Sequence, residues 1–146
     1  MTIWITGRGG AGTVELAREV RRQLFDAGVM AAVVDRDVLR CGLSADPDTE
    51  DVRRAGEVAC LFAGAGVVAV VAVGSPRRAE REVVRVRHQA AGVPFVEVFV
   101  DNAKGLQREA EDGYEPPVQA DVVITSGEVG VAAGVVLARV LADLGR

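Results

Sequence analysis

Hydrophobic and polar positions along this chain switch repeatedly between two periods. Thr2-Ile3-Trp4-Ile5-Thr6 is a short β-rich run closed by Gly7, and Met30 to Asp35 and Pro94 to Val100 read the same way. Val67 to Val73 is a continuous apolar run rich in valine, the composition of a strand buried on both faces. Asp121 to Thr125 supplies a fifth strand. Between the first two strands, Val14, Leu16, Ala17, Val20 and Leu24 recur at helical spacing from Thr13 to Ala27, and Gly28 is a suitable stop. Helices are also expected over Asp51–Ala65, Arg77–Ala91, Lys104–Glu111 and Glu128–Leu144. Strands alternating with helices predict one three-layer α/β/α domain over residues 1–146, with a five-stranded, mostly parallel sheet. Ligands of such sheets sit at the carboxyl ends of the strands, which directs attention to the loops after Thr6, Asp35, Val73 and Val100.

Composition narrows the partners. A formal net charge of −4 argues against a nucleic-acid polymer, because phosphate backbones reward a basic face. The apolar run Val67–Val73 is too short to span a bilayer, and no basic region precedes an apolar one at the N-terminus. Cys41 and Cys60 form no metal spacing and no disulfide framework, so a reducing cytoplasm is the expected setting. Cys60 falls on an apolar helix face and is expected in the core; Cys41 lies near the candidate pocket. His88 sits in an arginine-rich helix (Arg77, Arg78, Arg81, Arg85, Arg87) interleaved with Glu80 and Glu82, which reads as a solvated face with a surface histidine.

The loop after the first strand carries the clearest chemistry. Gly7-Arg8-Gly9-Gly10-Ala11-Gly12-Thr13-Val14 lies between strand and helix with the glycine spacing of a Walker A loop, GxxxxGK[ST], as in P-loop kinases. Backbone amides of Gly7 to Thr13 and the positive end of the next helix would bind an anion without side chains. The position of the lysine holds Thr13, and that of the magnesium-binding hydroxyl holds Val14. Glu15 then adds a carboxylate that would repel a polyphosphate. Arg8 could replace the lost charge, since arginine binds phosphate bidentately. A smaller anion such as sulfate, phosphate or carboxylate is the other candidate occupant, and a plain connecting turn is the third reading.

Six ordered stretches resemble the adenylylsulfate kinase (APS kinase) family. They are Ile3-Trp4-Ile5-Thr6-Gly7 with Gly10-Ala11-Gly12; Val34-Asp35-Arg36-Asp37 through Leu43; Arg53-Arg54-Ala55-Gly56-Glu57 through Phe62; Ser75-Pro76-Arg77-Arg78; Phe95-Val96-Glu97 through Asp101; and Tyr114-Glu115-Pro116-Pro117. The resemblance implies a P-loop kinase fold and transfer of phosphate from ATP to the 3′-hydroxyl of adenylylsulfate. It implies that Asp35 and Asp37 lie near the reacting hydroxyl and the metal, with Asp37 orienting or deprotonating it. It further implies that Arg40 contacts the anionic end of the acceptor, and that Ser75 and Pro76 line the acceptor pocket with Arg78 nearby. Ser75-Pro76 also reads as a helix start, with Ser75 as N-cap. ATP and magnesium are the cofactors the resemblance suggests; no metal-binding residue is assigned. APS kinases commonly dimerise, so an oligomer is a further expectation, with Val129, Val131, Val135, Val136 and Val140 facing core or partner.

The chain departs from the family pattern at several points. Thr13 and Val14 replace the Walker side chains, and Arg36 replaces the glycine between the two aspartates. The segment Ser44–Glu50 is short and lacks the expected aromatic residue and arginine, while Asp51 stands where the family has an asparagine. The stretch from Asn102 to Gly113 is much shorter than the family's lid region, with Lys104-Gly105-Leu106 as its candidate remnant. Three readings follow. The chain binds a small anionic or nucleotide ligand without normal phosphate transfer; or it runs altered or residual kinase chemistry with Asp35, Asp37, Arg36 and Arg40; or it serves as one subunit of an oligomer.

Overall fold

A computed structural model describes residues 1–46, 50–102, 113–125 and 127–146. The elements follow in the order β1 (Thr2–Gly7), α1 (Thr13–Asp26), β2 (Ala31–Asp35), α2 (Arg36–Arg40), α3 (Asp51–Gly64), β3 (Val68–Ala72), α4 (Arg78–Ala90), β4 (Phe95–Val100), β5 (Val122–Ile124) and α5 (Val129–Asp143). The strands form a five-stranded sheet of order β2-β3-β1-β4-β5 in which every neighbouring pair is parallel.

Side-chain alternation on the central strand sorts the helices into two layers. Ile3 and Ile5 point to one face, where they pack with Leu16, Val20 and Leu24 of α1 and Ala133, Val136 and Val140 of α5. Trp4 points to the other, among Ala55 and Ala59 of α3 and Val84 of α4. The three-layer α/β/α architecture follows from burying both faces of the valine-rich sheet. The connection through α1 runs toward β2, whereas those through α4 and beyond run toward β4 and β5, so the chain changes direction at β1. The register Gly7 opposite Val100 and Asp35 opposite Ala72 brings the carboxyl ends level, and the loops there share one rim.

Among the described residues, expected and observed elements agree closely, with one addition. The five-residue helix α2 continues directly from β2, because Asp35 caps it: its Oδ1 accepts from the Val38 amide at 2.9 Å. The helix expected over Lys104–Glu111 lies outside the described residues. Cys60 is buried and Cys41 exposed. The valines of α5 divide: Val136 and Val140 are fully buried, while Val129, Val131 and Val135 face outward. Among the described residues no helix is long and apolar enough to cross a membrane.

Two expectations are corrected. His88 is not a surface residue but fully buried, with Nε2 2.9 Å from Thr2 Oγ1 and Nδ1 2.8 Å from the Val84 carbonyl. Since the carbonyl can only accept, Nδ1 carries the proton and Nε2 accepts from the threonine hydroxyl. The α4 face is not uniformly solvated either. Arg81 is 3% exposed; it donates to the Ser75 carbonyl at 2.5 Å and to the Glu115 carbonyl, with Glu97 Oε1 3.8 Å away.

Candidate functional site

The loop leaving β1 tightens through a turn in which the Ala11 amide donates to the Arg8 carbonyl at 3.0 Å. Gly10 and Gly12 both adopt φ of 84°, a left-handed conformation that a side chain disfavours. Gly7 is required for a different reason. A Cβ there would lie 2.9 Å from the Val100 carbonyl oxygen, so the loop passes closer to β4 than any larger residue permits. Asn102 fastens the loop from the other side, its Nδ2 donating to the Ala11 carbonyl at 2.7 Å. Gly12 is the N-cap of α1 and supplies no side-chain cap, so the first-turn amides of Thr13 and Val14 face the rim.

Beside this loop lies a cavity of about 350 Å³ lined by Gly12, Glu15, Leu16, Asn102, Thr125 and Val129, among others. Its walls are mainly apolar, with the Glu15 carboxylate at its lip. Glu15 Oε2 sits 3.7 Å from the point a Gly12 Cβ would occupy, so the carboxylate lies beside the last glycine of the loop.

On the opposite side of the rim, α2 and α3 enclose a second cavity of about 430 Å³ with the loop after β3, lined by Arg36, Arg40, Asp51, Gly74, Pro76 and Arg77 among others. Asp51 organises it. Its Oδ2 accepts from Arg40 Nη2 at 2.9 Å and Nε at 3.2 Å, and Arg36 Nε is 3.9 Å from the same oxygen. Burial pushes the Asp51 carboxyl up, but the Ser44 hydroxyl and the two arginines outweigh it and hold the group below its usual value.

Between the two cavities runs a chain of hydrogen bonds that joins distant parts of the sequence. Trp4 Nε1 donates to Ser75 Oγ at 3.2 Å, Ser75 Oγ to Thr6 Oγ1 at 3.4 Å, and Thr6 Oγ1 is 2.9 Å from the Tyr114 hydroxyl. The Tyr114 ring carries the Arg8 guanidinium 5.5 Å from its centroid and that of Arg81 at 5.3 Å. Phe99 stacks on it at 6.2 Å. Burial pushes the Tyr114 hydroxyl up from its ordinary value.

The profile of the family described as adenylylsulphate kinase matches residues 1–113. The chain belongs to the adenylylsulfate kinase family. It is 41% identical to the adenylyl-sulfate kinase of Paraburkholderia xenovorans, over 97% of this chain and 91% of that protein. Among solved structures it superposes on the Mycobacterium tuberculosis APS kinase CysC in complex with AMPPNP and APS with a TM-score of 0.86. That pair shares 30% identity and covers 95% and 96% of the two chains. The hexameric APS kinase from Thiobacillus denitrificans matches with a TM-score of 0.79 at 26% identity, over 97% of this chain and 29% of that one.

The residues singled out by the APS kinase resemblance fall into three groups. Gly7 to Thr13 form the loop at the switch point, with Arg8 over Tyr114. Arg36, Arg40 and Pro76 share the second cavity. Asp35, Asp37, Ser75 and Arg78 lie around these. Asp35 is 3% exposed with both oxygens engaged, Oδ1 capping α2 and Oδ2 3.5 Å from Arg18 Nη2. Asp37 is exposed in the first turn of α2. Ser75 is 2% exposed beneath the cavity and is not an N-cap: α4 starts at Arg78 with Arg77 as its cap residue. Arg78 turns to the Pro116 carbonyl, donating from Nε at 2.6 Å, and lines a third cavity of about 380 Å³ beside Glu97 and Gln119. Arg36 turns toward Asp51, its ion-pair partner among the described residues. The site also includes Thr6, Tyr114, Arg81 and Asn102, which residue patterns did not single out. Their roles arise from contacts across the fold, such as the 108-residue separation of Thr6 and Tyr114.

Proposed function

We propose that this APS-kinase homologue binds a small anionic or nucleotide ligand across its glycine loop and acceptor cleft without transferring phosphate from ATP at ordinary kinase rates. One observation carries the reading: α1 opens with Thr13 and Val14, and the next residue, Glu15, sets its carboxylate beside Gly12 of the loop. In phosphoryl transfer a P-loop lysine places a positive charge on the β- and γ-phosphates, and the neighbouring hydroxyl holds the magnesium that neutralises developing charge. Thr13 carries no positive charge and Val14 no hydroxyl. The residues present therefore do not fit magnesium–ATP, whereas the backbone amides fit a smaller anion. The shortness of the Asn102–Gly113 stretch points the same way, because lids exclude water and complete such sites; residues 103–112 lie outside the described part. Arg8, held over Tyr114, is the side chain placed to add charge to the loop.

A second reading is altered or residual kinase chemistry at the acceptor side. It is favoured by Asp37, an exposed carboxylate at the carboxyl end of β2 beside the cleft that holds Arg36 and Arg40. Its role would be to orient or deprotonate a ligand hydroxyl.

A thermal-shift screen separates these readings from an empty fold. ATP, ADP, adenylylsulfate, sulfate, phosphate and small phosphoesters are added with and without magnesium. Binding to the native state raises its stability by an amount set by concentration over affinity. The proposal expects stabilisation by an anion or nucleotide that is insensitive to magnesium. A magnesium-dependent shift with ATP larger than with every other compound would reject it.

A further inference from the structure

Asp51, the first residue of α3, is 9% exposed, yet its carboxylate borders an open cavity. A single oxygen of that carboxylate gathers two guanidiniums, Arg40 by two contacts and Arg36 at 3.9 Å. The Nε–Nη2 edge of Arg40 therefore already holds a carboxylate, and a second anion can take that edge only by exchange. The cavity is lined by three arginines, Arg36, Arg40 and Arg77, and by two carboxylates, Asp51 and Glu80. Asp51 is ionised at neutral pH, as its lowered titration requires. The formal balance of the lining is then one positive charge, from three positive and two negative groups.

We infer that Asp51 is a resident counter-ion that occupies the Nε–Nη2 edge of Arg40, draws Arg36 to 3.9 Å, and restricts the cleft to singly charged ligands. A ligand with two charges, such as the phosphosulfate of adenylylsulfate, meets the Asp51 carboxylate at the arginines it would need. Like charges at 4–6 Å disfavour one another, and the cleft is screened less than open surface. A singly charged phosphodiester matches the net charge of the lining. The inference rests on the proposal that this cleft is where the anionic ligand binds.

The test compares two probes by calorimetry: adenylylsulfate, with two negative charges, and the methyl ester of adenosine 5′-phosphate, with one. Wild type should bind the ester more tightly. Asp51→Asn keeps the shape and removes the charge; it should bind adenylylsulfate at least about tenfold more tightly than wild type and reverse the preference. Asp51→Ala serves the same purpose if the asparagine variant does not fold. The double variant Asp51→Asn/Arg40→Gln should lose the gain. A wild-type preference for adenylylsulfate, or a ratio unchanged in both Asp51 variants, overturns the counter-ion role while leaving the cleft as the ligand site. Failure of both probes to bind wild type and either Asp51 variant overturns the cleft reading itself.

Discussion

The Tyr114 hydroxyl lies 2.9 Å from Thr6 Oγ1, so the last residue before the glycine loop is tied to a segment that follows β4 by many residues. Through its ring the same tyrosine holds Arg8 of the loop and Arg81 of α4. Tyr114 thus fixes the loop from below while leaving its amides to the rim. Removing only the hydroxyl, Tyr114→Phe, should cost about 1 kcal/mol in denaturant unfolding, the net value of one partly buried hydrogen bond. Tyr114→Ala should also remove the ring beneath Arg8 and weaken binding of sulfate or phosphate beyond its effect on stability. Anion titration of the two variants separates the hydroxyl from the ring.

The fit of Gly7 against β4 makes a sharper prediction. A Cβ at Gly7 meets the Val100 carbonyl at 2.9 Å and Ala11 Cβ at 3.1 Å, and the backbone partner cannot move aside cheaply. Gly7→Ala should destabilise the fold by about 1–3 kcal/mol, the cost typical of overpacking a tight interior. Gly9→Ala, where a Cβ meets nothing within 4 Å, should leave the melting temperature nearly unchanged.

His88 predicts the acid limb of the stability profile. Burial is the main cause that pushes its imidazole below the ordinary histidine value of 6.5, with Arg87 adding to it and the Val84 carbonyl opposing. Because the unfolded chain takes up the proton first, stability is full above about pH 6.5 and is lost as pH falls through the folded value. The slope reaches at most about 1.4 kcal/mol per pH unit from this group. His88→Gln should lower stability at pH 7.5 but flatten the profile between pH 6.5 and 5. Urea midpoints across that range check both effects.

Much of this fold is legible in the residue pattern. The strands on both sides of β1 are rich in valine, and α1 declares itself by helical spacing and the stop at Gly28. What escapes the pattern is polar burial. The buried stripe of α4 is Arg81, Val84 and His88, spaced as a core face but written largely in charged letters. Periodicity of apolar residues passes over such a stripe, and only its partners explain it: Thr2 and Glu115, distant in sequence, and Ser75 in the loop before the helix. Helix α2 is missed because five residues complete barely one turn; its signal is the cap, Asp35 accepting from Val38. The candidate site divides in the same way. The glycine loop, Arg36 and Arg40 are readable as motifs, but the Arg40–Asp51 pair and the Tyr114 clamp depend on which loops the sheet order brings together.

If Thr13 and Val14 account for a weakened ATP site, restoring the missing groups should restore binding before it restores turnover. Thr13→Lys/Val14→Ser adds the point charge and the hydroxyl at the start of α1. It should bind ATP in a magnesium-dependent manner at least about tenfold more tightly than wild type, a difference of about 1.4 kcal/mol. Adding Glu15→Ala to the pair should increase the gain, since the carboxylate beside Gly12 repels the polyphosphate. Calorimetry with and without magnesium reads each step.

The most direct test of the account is turnover by the wild-type protein. ATP, magnesium and adenylylsulfate are mixed with the chain, and the 3′-phosphorylated product and ADP are followed by chromatography. The account predicts no formation of that product near the rate of about 1–100 s⁻¹ typical of kinases. Magnesium-dependent product at such a rate would contradict it and return the chain to working kinase chemistry.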